Sequence, residues 1–144
     1  MKTKIYFLIF VIVGLVGCKE SNSSSKVYIV NKSSATVELK FTLGHTNESK
    51  TFTLFPNKEI LTKEISGMGN EGIPSYPFEI QYDTCKVIFN DTIALNYILY
   101  MDNDRNILHT RNYSKSDGSG SRKYDHFIYR YTITEQDFLD AEPF

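Results

Sequence analysis

Thr36-Val37-Glu38-Leu39-Lys40-Phe41-Thr42-Leu43 alternates strictly between polar and apolar residues. Val37, Leu39, Phe41 and Leu43 share one face, and Thr36, Glu38, Lys40 and Thr42 share the other. Period two over eight residues describes a half-buried antiparallel strand, with one side against a core and the other in water.

The same period recurs on both sides of this stretch. Val27–Val30 reads as a short strand before it, joined through the polar turn set Asn31-Lys32-Ser33-Ser34. After the Gly44–Glu48 loop, Lys50–Phe55 points Phe52 and Leu54 inward, and Pro56-Asn57-Lys58 turns the chain into Glu59–Ile65. These four segments predict two successive hairpins. Ser66–Tyr76 holds three glycines and a proline and is the natural place for a sandwich to cross between sheets. Phe78, Ile80 and Tyr82 then alternate with Glu79 and Gln81. Lys86–Phe89 and Thr92–Tyr100 flank the turn-compatible pair Asn90-Asp91, and Met101–Asn106 is a polar loop. Ile107–Asn112 reads as a further short strand, and Ser114–Arg122 as a low-complexity mobile loop. Lys123–Ile133 is the last long strand, with Phe127, Tyr129, Tyr131 and Ile133 inward. Thr134-x-x-Asp137 resembles a capping box and predicts a short helical turn through Ala141.

About eight short strands without a helix long enough for a βαβ crossover predict an all-β domain. The expected fold is an antiparallel β-sandwich of Ig-like or Greek-key style, ending in a short helical turn. A small β-barrel is the alternative, because strands of both architectures alternate.

The chain opens with MKTKIYFLIFVIVGLVGC: two lysines, an apolar run from Ile5 to Val16, then Leu15-Val16-Gly17-Cys18. Charge, apolar run and small residue before a cut site form a secretory signal. The run is shorter than the ~20 residues a spanning helix needs. Leu15–Cys18 resembles the lipobox of bacterial lipoproteins. That resemblance implies cleavage before Cys18, acylation of Cys18, and an anchor in the lipid bilayer of the outer membrane, on its periplasmic or surface-exposed face. One acyl chain holds a protein only marginally; the roughly three that this family attaches hold it in effect permanently. The expected organisation is therefore a signal peptide over residues 1–17, a lipidated Cys18 with a flexible serine-rich tether over 18–25, and a single β domain over 26–144. With this tether and the closing Tyr-Thr-Ile-Thr-Glu-x-Asp-Phe run, the chain resembles the small lipoproteins of Bacteroidetes. Asp91-Thr92-Ile93 also resembles the short O-glycosylation motif of that group, which makes Thr92 a candidate glycan site.

Removing residues 1–17 from the 144-residue chain leaves 127, a comfortable single domain. Lys2 and Lys4 leave with the signal, moving the net charge from −1 to −3. A mildly acidic chain without clustered Lys and Arg argues against nucleic acid. Cys85 is then the single remaining thiol besides Cys18, which rules out a disulfide within the domain; at a strand start and without a neighbouring His, it reads as an inert, half-buried residue.

The remaining candidate sites are weak by pattern. His45, His109 and His126 are far apart and lack a metal-ligand spacing. Asp102-Asn103-Asp104-Arg105-Asn106 resembles the first half of a calcium loop. The pattern then requires Gly and an acidic residue where Ile107 and Tyr113 stand, so a solvated loop is the better reading. Gly118 and Gly120 lack the following Gly-Lys-Ser/Thr and helix of a phosphate cradle. Glu38, Glu79 and Glu135 read as charged outer faces of strands. No catalytic residue, cofactor or metal is expected. The functional expectation is a non-enzymatic module that contacts a protein or glycan, with a β-barrel small-ligand carrier as the alternative and an enzyme inhibitor as a third class.

Overall fold

The computed structural model describes residues 22–68, 74–118 and 124–144. The signal peptide and Cys18 lie outside the described residues. Among those described, no helix is long and apolar enough to cross a membrane.

The fold is an all-β sandwich. Nine strands are described: β1 (Asn22–Asn31), β2 (Val37–Thr42), β3 (Ser49–Leu54), β4 (Glu59–Met68), β5 (Thr84–Phe89), β6 (Ile93–Ile98), β7 (Ser114–Gly118), β8 (Tyr124–Ile133) and β9 (Glu142–Pro143). One sheet has the order β4-β1-β8-β7 and the other β3-β2-β5-β6-β9. The two sheets stay separate, which overturns the barrel alternative.

The alternation at Thr36–Leu43 positions the core. Val37, Leu39 and Phe41 are fully buried, as are Val87 and Phe89 of β5 beside them. Val27 and Ile29 of β1, with Tyr129, Tyr131 and Ile133 of β8, face them from the other sheet in one apolar cluster. Phe41 packs at its middle, with ring centroids 4.2 Å from Phe78 and 5.3 Å from Tyr82.

Several expectations are corrected. The predicted hairpins before residue 66 fail, because β1 and β2 lie in different sheets, as do β3 and β4. The hairpin in that stretch is β2–β3. Crossing between sheets therefore happens at Asn31–Ala35 and at Phe55–Lys58, as well as in the central loop. The sheet is also not wholly antiparallel: β1 runs parallel to β8, pairing from Asn22↔Tyr124 to Asn31↔Ile133. Such a pair requires a long crossover, and six strands lie between the two in sequence. Residues 22–25 of the expected tether belong to a strand, and the rest of that expected tether lies outside the described residues. β1 begins at Asn22, and Ser23 and Ser25 are buried on its inward register. Serine is small enough to sit there while its backbone pairs with strands on both sides.

Residues 78–80 form bends and 81–82 are irregular, although Phe78 and Tyr82 are both buried. Pro77 at its start removes an N–H that a central strand would need. Ile107–Asn112 contains a 3-10 turn at Thr110–Asn112. The first half of the serine-glycine segment is β7, an edge strand against β8. The second half lies outside the described residues.

Local turn chemistry follows the residues. Asn90 and Asp91 take φ of 48° and 60°, the left-handed pair that a tight hairpin demands, and Thr92 N–H closes the turn on Phe89 O at 3.1 Å. Pro56 and left-handed Asn57 (φ 60°) turn β3 toward β4. Thr134 and Asp137 form the predicted capping box on α1 (Glu135–Leu139).

Cys85 is fully buried rather than half-buried. Burial pushes its thiol well up, and burial likewise pushes up the phenols of Tyr113 and Tyr131. The folded state thus holds these protons at a pH where the unfolded chain releases them. These three groups leave stability unchanged below pH ~8 and lower it as pH rises through their unfolded values, about 8.5 for the thiol and about 10 for the phenols. A urea midpoint clearly lower at alkaline pH than at neutral pH is expected. A midpoint unchanged through that range would contradict the burial of these groups.

Candidate functional site

The outward registers of β4, β1, β8 and β7 form a ladder across one face of the four-stranded sheet. Ser66, Ser24 and His126 make one row. Glu64, Lys26, Ile128 and Ser116 make the next, and Leu61, Tyr28, Arg130 and Ser114 the third. An open groove of about 410 Å³ follows this face, lined by Ser24, Lys26, Tyr28, Glu64, His126 and Ile128.

Its charges are largely neutralised in place. Lys26 Nζ lies 3.2 Å from Glu64, and Arg130 Nε lies 3.4 Å from Glu59 while its guanidinium sits over the Tyr28 ring. Ser24 Oγ and His126 Nδ1 are 2.5 Å apart. Among the described residues no further side chain bonds the His126 ring. What the face offers is hydroxyls, one imidazole, paired charges and an aromatic ring at the surface, the equipment of polar recognition.

The outward face of the other sheet differs. Lys40 of β2 stands directly opposite Lys86 of β5, with Asn96 of β6 beyond it. Thr42, Thr84 and Ile98 form the adjoining row, and a groove of about 360 Å³ runs over them.

The predicted metal candidates disperse. His45 is in an exposed loop, His109 precedes the 3-10 turn, and His126 is on the outward ladder. Among the described residues no three His, Cys, Asp or Glu side chains converge as a metal site. In the calcium-like loop the side chains of Asp102, Asn103 and Asn106 are taken up by protein partners. Asp102 pairs with Arg111, and Asn103 Oδ1 accepts from Arg105 N. Buried Asn106 donates to Ile98 O and Met101 O and accepts from Leu108 N. Thr92 is exposed at the β5–β6 turn.

The sequence did not disclose a link between this loop and the C-terminus. Arg105 grips Asp137 through Nε to Oδ1 at 2.7 Å and Nη2 to Oδ2 at 2.5 Å, and Tyr131 OH donates to Arg105 O. Partial burial pulls the Arg105 guanidinium down, but hydrogen bonding and attraction from Asp137 outweigh it and leave it raised. Nothing in the spacing of residues 105 and 137 signals this contact; it needs the sandwich to bring them together. No protein-family model, curated protein or solved structure matches the chain.

Proposed function

We propose that the chain is a lipid-anchored envelope protein, held in the outer membrane through acylated Cys18, whose sandwich is a non-enzymatic binding module for a protein or glycan. The observation that carries the binding role is the division of labour between inside and outside. The space between the sheets is filled by Phe41, Phe89, Tyr129 and their neighbours, so a ligand is met on an outward face. The four-stranded face, with Tyr28, the Ser24–His126 pair and its groove, is the strongest candidate. A small-ligand carrier is less well supported, because its cavity would have to replace that packed core.

The test uses cells expressing the full chain and fed a fatty acid carrying an alkyne. Wild type is expected to be labelled and to fractionate with the membrane, and Cys18→Ala to lose both. Tyr28→Ala is expected to keep the label and lose partners captured from envelope extracts. A labelled Cys18→Ala would sink the anchor; undiminished capture by Tyr28→Ala would sink the face.

A further inference from the structure

We propose that the outward face of the five-stranded sheet binds the carboxylate of an acidic sugar, with Lys40 and Lys86 as the charged pair that recognises it. The proposal rests on the binding-module reading and gives it a ligand class, but places that ligand on the sheet opposite Tyr28.

Two lysines directly opposite each other across antiparallel strands repel and destabilise the pair. An opposite charge across such a pair would stabilise it instead. Here, among the described residues, neither ammonium has a carboxylate within ion-pair distance. Glu38, the next outward residue along β2, is opposite Ile88 and pairs with neither lysine. On the other sheet, by contrast, Lys26 faces Glu64 and forms the ion pair. The lysine face is therefore short of one anion, and an anionic ligand removes the repulsion while gaining two charge-assisted contacts.

The surroundings decide which anion. The hydroxyls of Thr42 and Thr84 and the amide of Asn96 line the same groove and match a ligand rich in hydroxyls. Lys86 Nζ lies 3.4 Å from the centroid of the Phe144 ring, which is 63% exposed. An exposed ring beside polar side chains suits the apolar face of a pyranose, while the carboxylate sits between the ammoniums. The groove crosses the face of the sheet and not its edge, where an acidic peptide would add as a strand. Its volume of about 360 Å³ suits one or two sugar rings.

The probe is a galacturonate trimer, compared with its methyl ester, which keeps the shape and loses the charge. Titrated calorimetrically into the full chain, the free acid is expected to bind at least about tenfold more tightly than the ester, a difference of ~1.4 kcal/mol, and less tightly as salt is raised. The double variant Lys40→Gln/Lys86→Gln should lose that preference while keeping the wild-type urea midpoint or exceeding it, since it removes a repulsion. Equal binding of acid and ester, undiminished binding by the double variant, or tighter binding of an oligoglutamate than of the uronate would each overturn the proposal. Tyr28→Ala separates the two readings: loss of partner capture with uronate binding intact leaves both standing, whereas loss of uronate binding in Tyr28→Ala would place the acid on the other sheet and refute the lysine site alone.

Discussion

Arg105→Ala is expected to lower the unfolding free energy by about 3 kcal/mol, because it leaves a buried carboxylate without its counter-charge. Asp137 is 4% exposed, while the Arg105 side chain is about half exposed. The usual intuition is that the exposed partner matters less. Here the exposed partner keeps a buried charge tolerable, and removing it strands Asp137 with the Thr134 N–H at 2.7 Å and the Thr134 hydroxyl at 2.9 Å as its remaining bonds. The same contact ties the 99–113 connection to the start of α1. Asp137→Ala loses the capping box as well, worth about 1 kcal/mol by itself, but its orphaned guanidinium can turn to water. A double-mutant cycle by urea denaturation should give a coupling energy above about 1 kcal/mol. A value near that of a surface ion pair, below about 0.5 kcal/mol, would show that the carboxylate is adequately satisfied by Thr134 alone.

Asn31→Ala should cost about 3 kcal/mol through a different mechanism, the orphaning of buried neutral groups. Asn31 is fully buried where β1 leaves its sheet. Its amide donates to Ala35 O at 2.8 Å and Leu54 O at 3.0 Å, and its carbonyl accepts from Ser33 N at 3.0 Å and Ser33 Oγ at 2.7 Å. One side chain thus satisfies backbone groups of the β1–β2 crossover and of the end of β3. Asn31→Asp keeps the shape and presents oxygen to two carbonyl oxygens, so it should be worse than Ala. Both variants should move the urea midpoint with little change in slope. Wild-type stability in Asn31→Asp would show that the crossover does not depend on that donor.

The contrast between these two residues shows what the chain discloses on reading. Thr134-x-x-Asp137 is local, and its capping box is legible because both partners lie within one turn. The alternation at Thr36–Leu43 is legible for the same reason, and with it the β class and most of the core. Asn31 sits in a run of polar turn residues, and nothing there distinguishes a solvated Asn from one that bonds Leu54, twenty-three residues away. Composition assigns Ser23 and Ser25 to solvent, whereas burial of a serine depends on neighbours in strands far off in sequence. The proposed binding faces lie beyond reading for a related reason. Alternation assigns Lys40 and Lys86 to outward registers, but only the strand order makes them opposite each other.

The position of β1 has a mechanical consequence. It lies between β4 and β8 and pairs with both along most of its length. If Cys18 carries the lipid, as proposed, only the three residues Lys19, Glu20 and Ser21 separate the anchor from Asn22, four Cα–Cα steps that span at most about 14 Å. A partner that tugs on the domain therefore delivers its load almost directly to the N-terminal end of a central strand. Pulled along its axis, that strand strains the bonds on both sides together and shears as a unit. An edge strand such as β7 would instead peel one bond at a time. Because survival under load is set by the rate of unfolding and not by the equilibrium, the proposed anchor at Cys18 would put the grip at the part of the sheet best suited to resist being drawn out.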